Sequence, residues 1–124
     1  MARSSKRKLV KRSVPELKKI VSVFVEKFRE KYCFQVGQIY FRKMNSKWAS
    51  HSRNGNLTIN SALRLLPKPL IDYVVFHEMA HSVERKHDER FWKIVGKKFQ
   101  NHQKMENELM VYWFLMQKRS VFNG

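Results

Sequence analysis

Cysteine is almost absent from the 124-residue chain: Cys33 stands alone. One thiol excludes an internal disulfide framework and a cysteine-built zinc ribbon, and it suits a reducing cytoplasm. Long apolar runs are missing too. The longest, residues 109–116, is far too short to span a bilayer, and no apolar stretch follows the basic N-terminus as a secretory signal requires. A soluble, cytoplasmic protein without membrane contact is expected. Acidic residues are scarce: 10 Asp and Glu face 26 Lys and Arg, a formal net charge of +16. The excess is uneven, with 11 basic and 3 acidic residues in 1–31, 6 and 1 in 32–76, and 9 and 6 in 77–124. Such a field attracts polyanions, nucleic acid foremost, although charge alone carries no sequence specificity.

What is present suffices for one packed body, since 43% of residues are apolar and 13% aromatic. Residues 1–12 read as a flexible basic arm, and 13–124 as a single domain. Ser13-Val14-Pro15-Glu16 has the form of a capping box, and apolar positions from Leu17 to Phe28 keep helical spacing, which predicts a helix over about 15–31. Strand formers at 38–43 and the alternating 56–60 predict two strands joined as a hairpin by a long connection. A peptide could pair with the sheet edge near Asn56–Asn60. Pro67-Lys68-Pro69 opens a helix expected from Leu70 to about Glu84. Asp88 is a plausible N-cap of the next, and a last helix is expected over about 103–119.

The 70–84 segment carries His77-Glu78-Met79-Ala80-His81. Four residues of helix advance about 400°, so both imidazoles share a face and can reach one zinc ion, with Glu78 beside them for a metal-activated water. The helix is apolar nearly all round, so it should be buried, and buried histidines and a glutamate are costly unless something satisfies them. An ordinary buried helix with hydrogen-bonded histidines is the plainer alternative. The third ligand must come from elsewhere. His87 would face away in a continued helix, so the chain must turn between about Ser82 and Lys86. Three histidines leave a fourth position open, the pattern of a catalytic zinc site. A metzincin is disfavoured because Glu84 stands where that pattern needs Gly.

With those residues in view, the chain resembles the YgjP-like metallopeptidases, relatives of the SprT and Spartan zincins. Lys47-Trp48-Ala49-Ser50-His51-Ser52, Leu57-Thr58-Ile59-Asn60, Tyr73-Val74-Val75 running into His77-Glu78-Met79-Ala80-His81, and His87 followed by Phe91-Trp92 match the family's R-W-G-S-C-S, I-x-L-N, H-E-L-x-H and H-S-x-x-F-W in order, across about 38–95. The resemblance implies a small α+β zincin-like fold, an active-site helix beside a short, mainly antiparallel sheet with additional helices. It implies zinc on His77, His81 and His87, Glu78 as catalytic base, and peptide-bond hydrolysis. From SprT and Spartan it implies action on DNA-associated proteins, and within the nearer group a nucleotide pyrophosphatase activity has been ascribed. A phosphoanhydride hydrolase, or a basic nucleic-acid-binding module with a latent zinc site, are the competing readings. Ala49 and His51 depart from the family's Gly and Cys. His51 reads as a surface histidine or an extra polar group near the cleft. His102 reads as a helix cap or an oxyanion stabiliser, and Trp48 as a structural pin. Carboxylates hydrogen-bonded to the outer ring nitrogens should orient the histidines, with Glu106 and Glu108 as equal candidates.

Overall fold

The computed structural model describes residues 7–119. Helix α1 spans Val14–Tyr32 and begins in the expected capping box: Ser13 Oγ accepts from Glu16 N–H, and the Glu16 carboxylate accepts from Ser13 N–H. It buries Leu17, Val21, Phe24, Val25 and Phe28, one stripe at helical spacing. Three short strands follow: β1 (Ile39–Arg42), β2 (Ala49–His51) and β3 (Leu57–Asn60). A 3-10 turn, Ser61–Leu65, leads into α2 (Lys68–Ala80), then α3 (Glu89–Lys98) and α4 (His102–Lys118). The result is a small α+β fold.

The sheet corrects four expectations. The 39–42 and 57–60 strands do not form a hairpin; they run parallel, Ile39 opposite Leu57 and Arg42 opposite Asn60. The segment between them, which looks like loop from its Asn, Ser, Arg and Gly content, supplies β2. That strand makes the real hairpin with β3 through residues 52–56, where Gly55 takes φ +85°, a conformation glycine adopts at little cost. The order β1-β3-β2 makes the sheet mixed rather than mainly antiparallel. It also puts 57–60 in the centre with both edges taken, so a peptide cannot pair there. The outer edge beside α2 belongs to β2.

Helix α2 is the buried centre. Leu70, Ile71, Tyr73, Val74, Val75, Phe76, Met79 and Ala80 are all buried, so apart from its first residues and the side bearing His77 and Glu78 the helix is covered. Phe76 meets Phe28, Tyr32, Phe34 and Phe99 at centroid distances of 4.9–5.7 Å. The helix stops at Ala80, four residues before the expected end. His81 keeps helical φ and ψ as its cap (−66°, −13°), and Val83 is exposed rather than buried. Asp88 caps α3 as expected, accepting from Phe91 N–H at 3.1 Å.

Part of the expected flexible arm is fastened down. Val10 N–H donates to the Leu65 carbonyl, and Arg12 to the carbonyls of Arg64 and Leu66. Leu9 packs on the core, and Arg7 forks onto Glu108 of α4 at 2.9 and 2.5 Å. Residues 1–6 of that arm, and the end of the proposed domain from 120, lie outside the described residues.

Candidate metal centre

Helix α2 delivers His77 and His81 on one face, and the turn after Ala80 swings His87 back over them. His87 Nε2 lies 3.2 Å from His77 Nε2 and 3.1 Å from His81 Nε2. Two nitrogens about 2.0–2.1 Å from one tetrahedral zinc would be about 3.3 Å apart, so this spacing is that of a ligand set. The outer nitrogens strengthen the point. His77 Nδ1 faces Glu106 Oε2 at 3.2 Å, and His81 Nδ1 faces the Glu84 carbonyl at 3.0 Å. Both outer partners are acceptors, so both rings carry Nδ1–H, and their Nε2 lone pairs converge on His87. Lone pairs meeting this closely repel unless a cation, or a proton on His87, lies between them. The residues fit zinc.

Electrostatics favour the ligating forms. Burial, with the neighbouring histidines, lowers His81 to about 4 and keeps His87 below its ordinary value, so both are neutral near pH 7. Burial acts to raise Glu106, but hydrogen bonds from His77 and Tyr73 outweigh it and hold the carboxylate ionised. Tyr73, wholly buried one turn before His77, donates its hydroxyl to Glu106 Oε2, and burial with this bond raises its pKa. Glu106, not Glu108, is therefore the carboxylate behind the histidines; Glu108 is held by Arg7.

Glu78 points into the same space, its Oε2 3.9 Å from His77 Nε2. Burial pushes its carboxyl up to about 7, opposed by His77 and Lys47. A dication in the site would act to lower it.

Two pockets meet at His77 and Glu78. One of about 190 Å³ is walled mainly by Trp48, Tyr73, Val74 and Leu109, with Glu106 behind. The other, about 260 Å³, is polar and reaches Ser50, His51, Arg85 and His87. Lys47 and Ala49 line both. Trp48 does act as a pin: it meets Trp113 of α4 edge-on at 4.9 Å. His51 is neither stray nor free. Arg85 donates to its Nδ1 at 2.8 Å and its carbonyl at 3.0 Å, and to the Ser52 carbonyl at 3.2 Å. Because arginine only donates, His51 Nδ1 is an acceptor, and burial lowers this ring's pKa. His102 stacks on Trp92 at 5.0 Å and lines neither pocket. Sequence reasoning passed over Lys47, Arg85 and Asn60. Buried Asn60 donates to the carbonyls of Met44 and Lys47 and accepts from Ala62 N–H, fixing the loop that presents Lys47 and Trp48. Its place in the matched Leu57-Thr58-Ile59-Asn60 motif was the available signal.

A family model described as YgjP-like, metallopeptidase domain, matches residues 2–112. The chain belongs to this family. It is accordingly a zinc metallopeptidase. Among solved structures, the YgjP-like chain is similar to the metallopeptidase zymogen abylysin of Pyrococcus abyssi, with 23% identity and a TM-score of 0.68 over 74% of this chain and 93% of that one. It is also similar to the metallopeptidase zymogen jannalysin of Methanocaldococcus jannaschii, with 22% identity and a TM-score of 0.61 over 80% and 96%. At these identities the likeness establishes the fold. No curated protein matches. No helix among the described residues is long and apolar enough to cross a membrane.

Proposed function

We propose that His77, His81 and His87 bind zinc and that Glu78 is the general base of a peptidase. The observation that carries this is the convergence of three imidazole nitrogens beside a half-buried carboxylate, with Glu106 and the Glu84 carbonyl fixing two of the rings. When bound, zinc supplies Lewis acidity there, polarising a carbonyl and making water nucleophilic near neutral pH. Glu78 takes the proton from the attacking water and passes it to the leaving amine, a role its place beside His77 allows. The outer edge of β2 aligns an extended substrate over the site. Zinc stoichiometry and peptide turnover test the assignment. Wild type should hold one zinc, alanine at any of the three histidines should lose it, and Glu78→Gln should keep zinc while losing turnover. Full turnover in zinc-loaded Glu78→Gln defeats the role of base.

The net charge of +16 supports a location on nucleic acid, with DNA-associated proteins as substrates. DNA affinity should then fall linearly on logarithmic axes as salt rises, and should survive Glu78→Gln. Salt-independent or absent binding removes this part. Lys47 and Arg85 in the cleft also suit phosphates, and a nucleotide screen of the zinc form decides whether a phosphoanhydride is cut instead.

A further inference from the structure

The cleft is chemically unequal on the two sides of His77 and Glu78, and the geometry of β2 gives the inequality a direction. Asn60 N–H donates to the Trp48 carbonyl and Ser52 N–H to the Asn56 carbonyl, each at 2.9 Å. With Ser50 opposite Thr58, the bonded positions are 48, 50 and 52, so the peptide groups of Ala49 and His51 face away from β3. Arg85 Nη2 occupies the His51 carbonyl and closes that end of the edge. Among the described residues no hydrogen bond takes the Ala49 peptide groups or the His51 N–H, and these are the positions for an added strand. In antiparallel pairing, the more stable kind, that strand runs from the Arg85 end toward Trp48. Its residues before the scissile bond lie over the polar pocket, and those after it lie over the apolar one.

The pocket contents then select side chains. The apolar pocket, about 190 Å³, exceeds the ~150 Å³ cavity known to accept a benzene ring, so a Phe, Leu or Met side chain fits. The polar pocket holds the cations Lys47 and Arg85, and among the described residues Glu78 is the only carboxylate lining it. Three of the five N–H groups of Arg85 are used on His51 and Ser52, which leaves two for a ligand. Both cations are exposed to an incoming peptide. We infer that the enzyme prefers peptides with an acidic side chain ahead of the scissile bond and a large apolar side chain directly after it. This rests on the peptidase reading above.

The test is a set of labelled peptides varying only at those two places. Cleavage and cut position are read on the zinc-loaded wild type, and affinity by anisotropy on zinc-loaded Glu78→Gln. Replacing Phe by Ala after the scissile bond should lower kcat/KM at least about tenfold. Replacing Glu by Lys before it should lower kcat/KM about tenfold at low salt, with the ratio shrinking as salt rises. Affinities should rank the same way. Lys47→Glu, checked for folding by its zinc content, should collapse the acid-over-lysine ratio. Equal use of all the peptides, or cuts with the apolar residue before the bond and the acid after it, overturns the inference while a peptidase remains. If wild type cuts nothing but Glu78→Gln still ranks the peptides as stated, the pockets are as inferred and the peptidase reading fails.

Discussion

Glu106 joins two rings of α2, buried Tyr73 and half-buried His77, at the proposed metal centre, receiving Nδ1–H of His77 and the hydroxyl of Tyr73. Outer partners of this kind set ligand tautomer and basicity, and their loss costs 10–100-fold in metal affinity. Glu106→Gln should weaken zinc binding by about that factor in a chelator competition, whereas Glu108→Gln, which touches Arg7 instead, should not. Glu78 and His81 make opposed contributions to the pH dependence of the metal-free protein. The Glu78 carboxyl is raised from 4.5 to about 7, so as pH falls below 7 the folded chain gains a proton that the unfolded chain does not yet hold, which stabilises it. His81 is lowered from 6.5 to about 4, so below 6.5 the unfolded chain gains the extra proton, which destabilises the fold. His87, also lowered, acts in the direction of His81. In metal-free Glu78→Gln, of these three groups the two histidines remain. Its stability should fall from pH 7 to pH 5 in urea titrations more steeply than that of wild type; equal slopes reject the opposition.

At the scale of elements, the eight-residue turn from His81 to Asp88 carries the third histidine. Arg85 is its tie to the sheet among the described hydrogen bonds, holding His51 and Ser52 at the end of β2. Removing this fork should let His87 drift. Arg85→Ala should therefore weaken zinc affinity. Arg85→Lys should not restore it, because an ammonium is a point charge and cannot span the same carbonyls. Equal zinc affinity in all three proteins would show that the turn holds itself. The start of α1 gives a separate check. Ser13 satisfies an otherwise unpaired N–H, and Ser13→Ala should cost ~1 kcal/mol in chemical denaturation with zinc affinity unchanged.

For the whole molecule, the proposed zinc site would add a link between α2, the turn to α3 and, through Glu106, α4. Zinc binds the folded chain and should stabilise it by mass action, about 4 kcal/mol at a thousandfold excess over Kd. For a chain of this size that is a rise in Tm on the order of 10–15 °C, reversed by a chelator. A Tm indifferent to chelation would mean the site is empty in solution. The arm bears on the same scale. Its charge suggested a free tail, yet Leu9, Arg7 and Arg12 bind it across the 3-10 turn and α4, because an exposed basic composition says nothing of carbonyls left unpaired elsewhere in the fold.

Features decided by near neighbours in the chain were legible from the residues alone. The capping box at Ser13, the N-cap at Asp88, the all-round apolar α2 and the shared face of His77 and His81 follow from helical geometry, which fixes positions three and four apart. The need for a turn before His87 followed from the same geometry. Contacts between distant segments were decided by the tertiary structure. The parallel pairing of β1 with β3 depends on a three-residue strand too short to show a pattern of its own. The choice of Glu106 over Glu108 depends on which side of α4 faces α2, since both lie within one turn. The partnership of Arg85 with His51 joins residues 34 apart. The family's identity was readable because its chemistry sits in one helix and one turn. The pockets that would select a substrate are assembled from β2, α2, α4 and the turn, so they come into being only when the chain is folded.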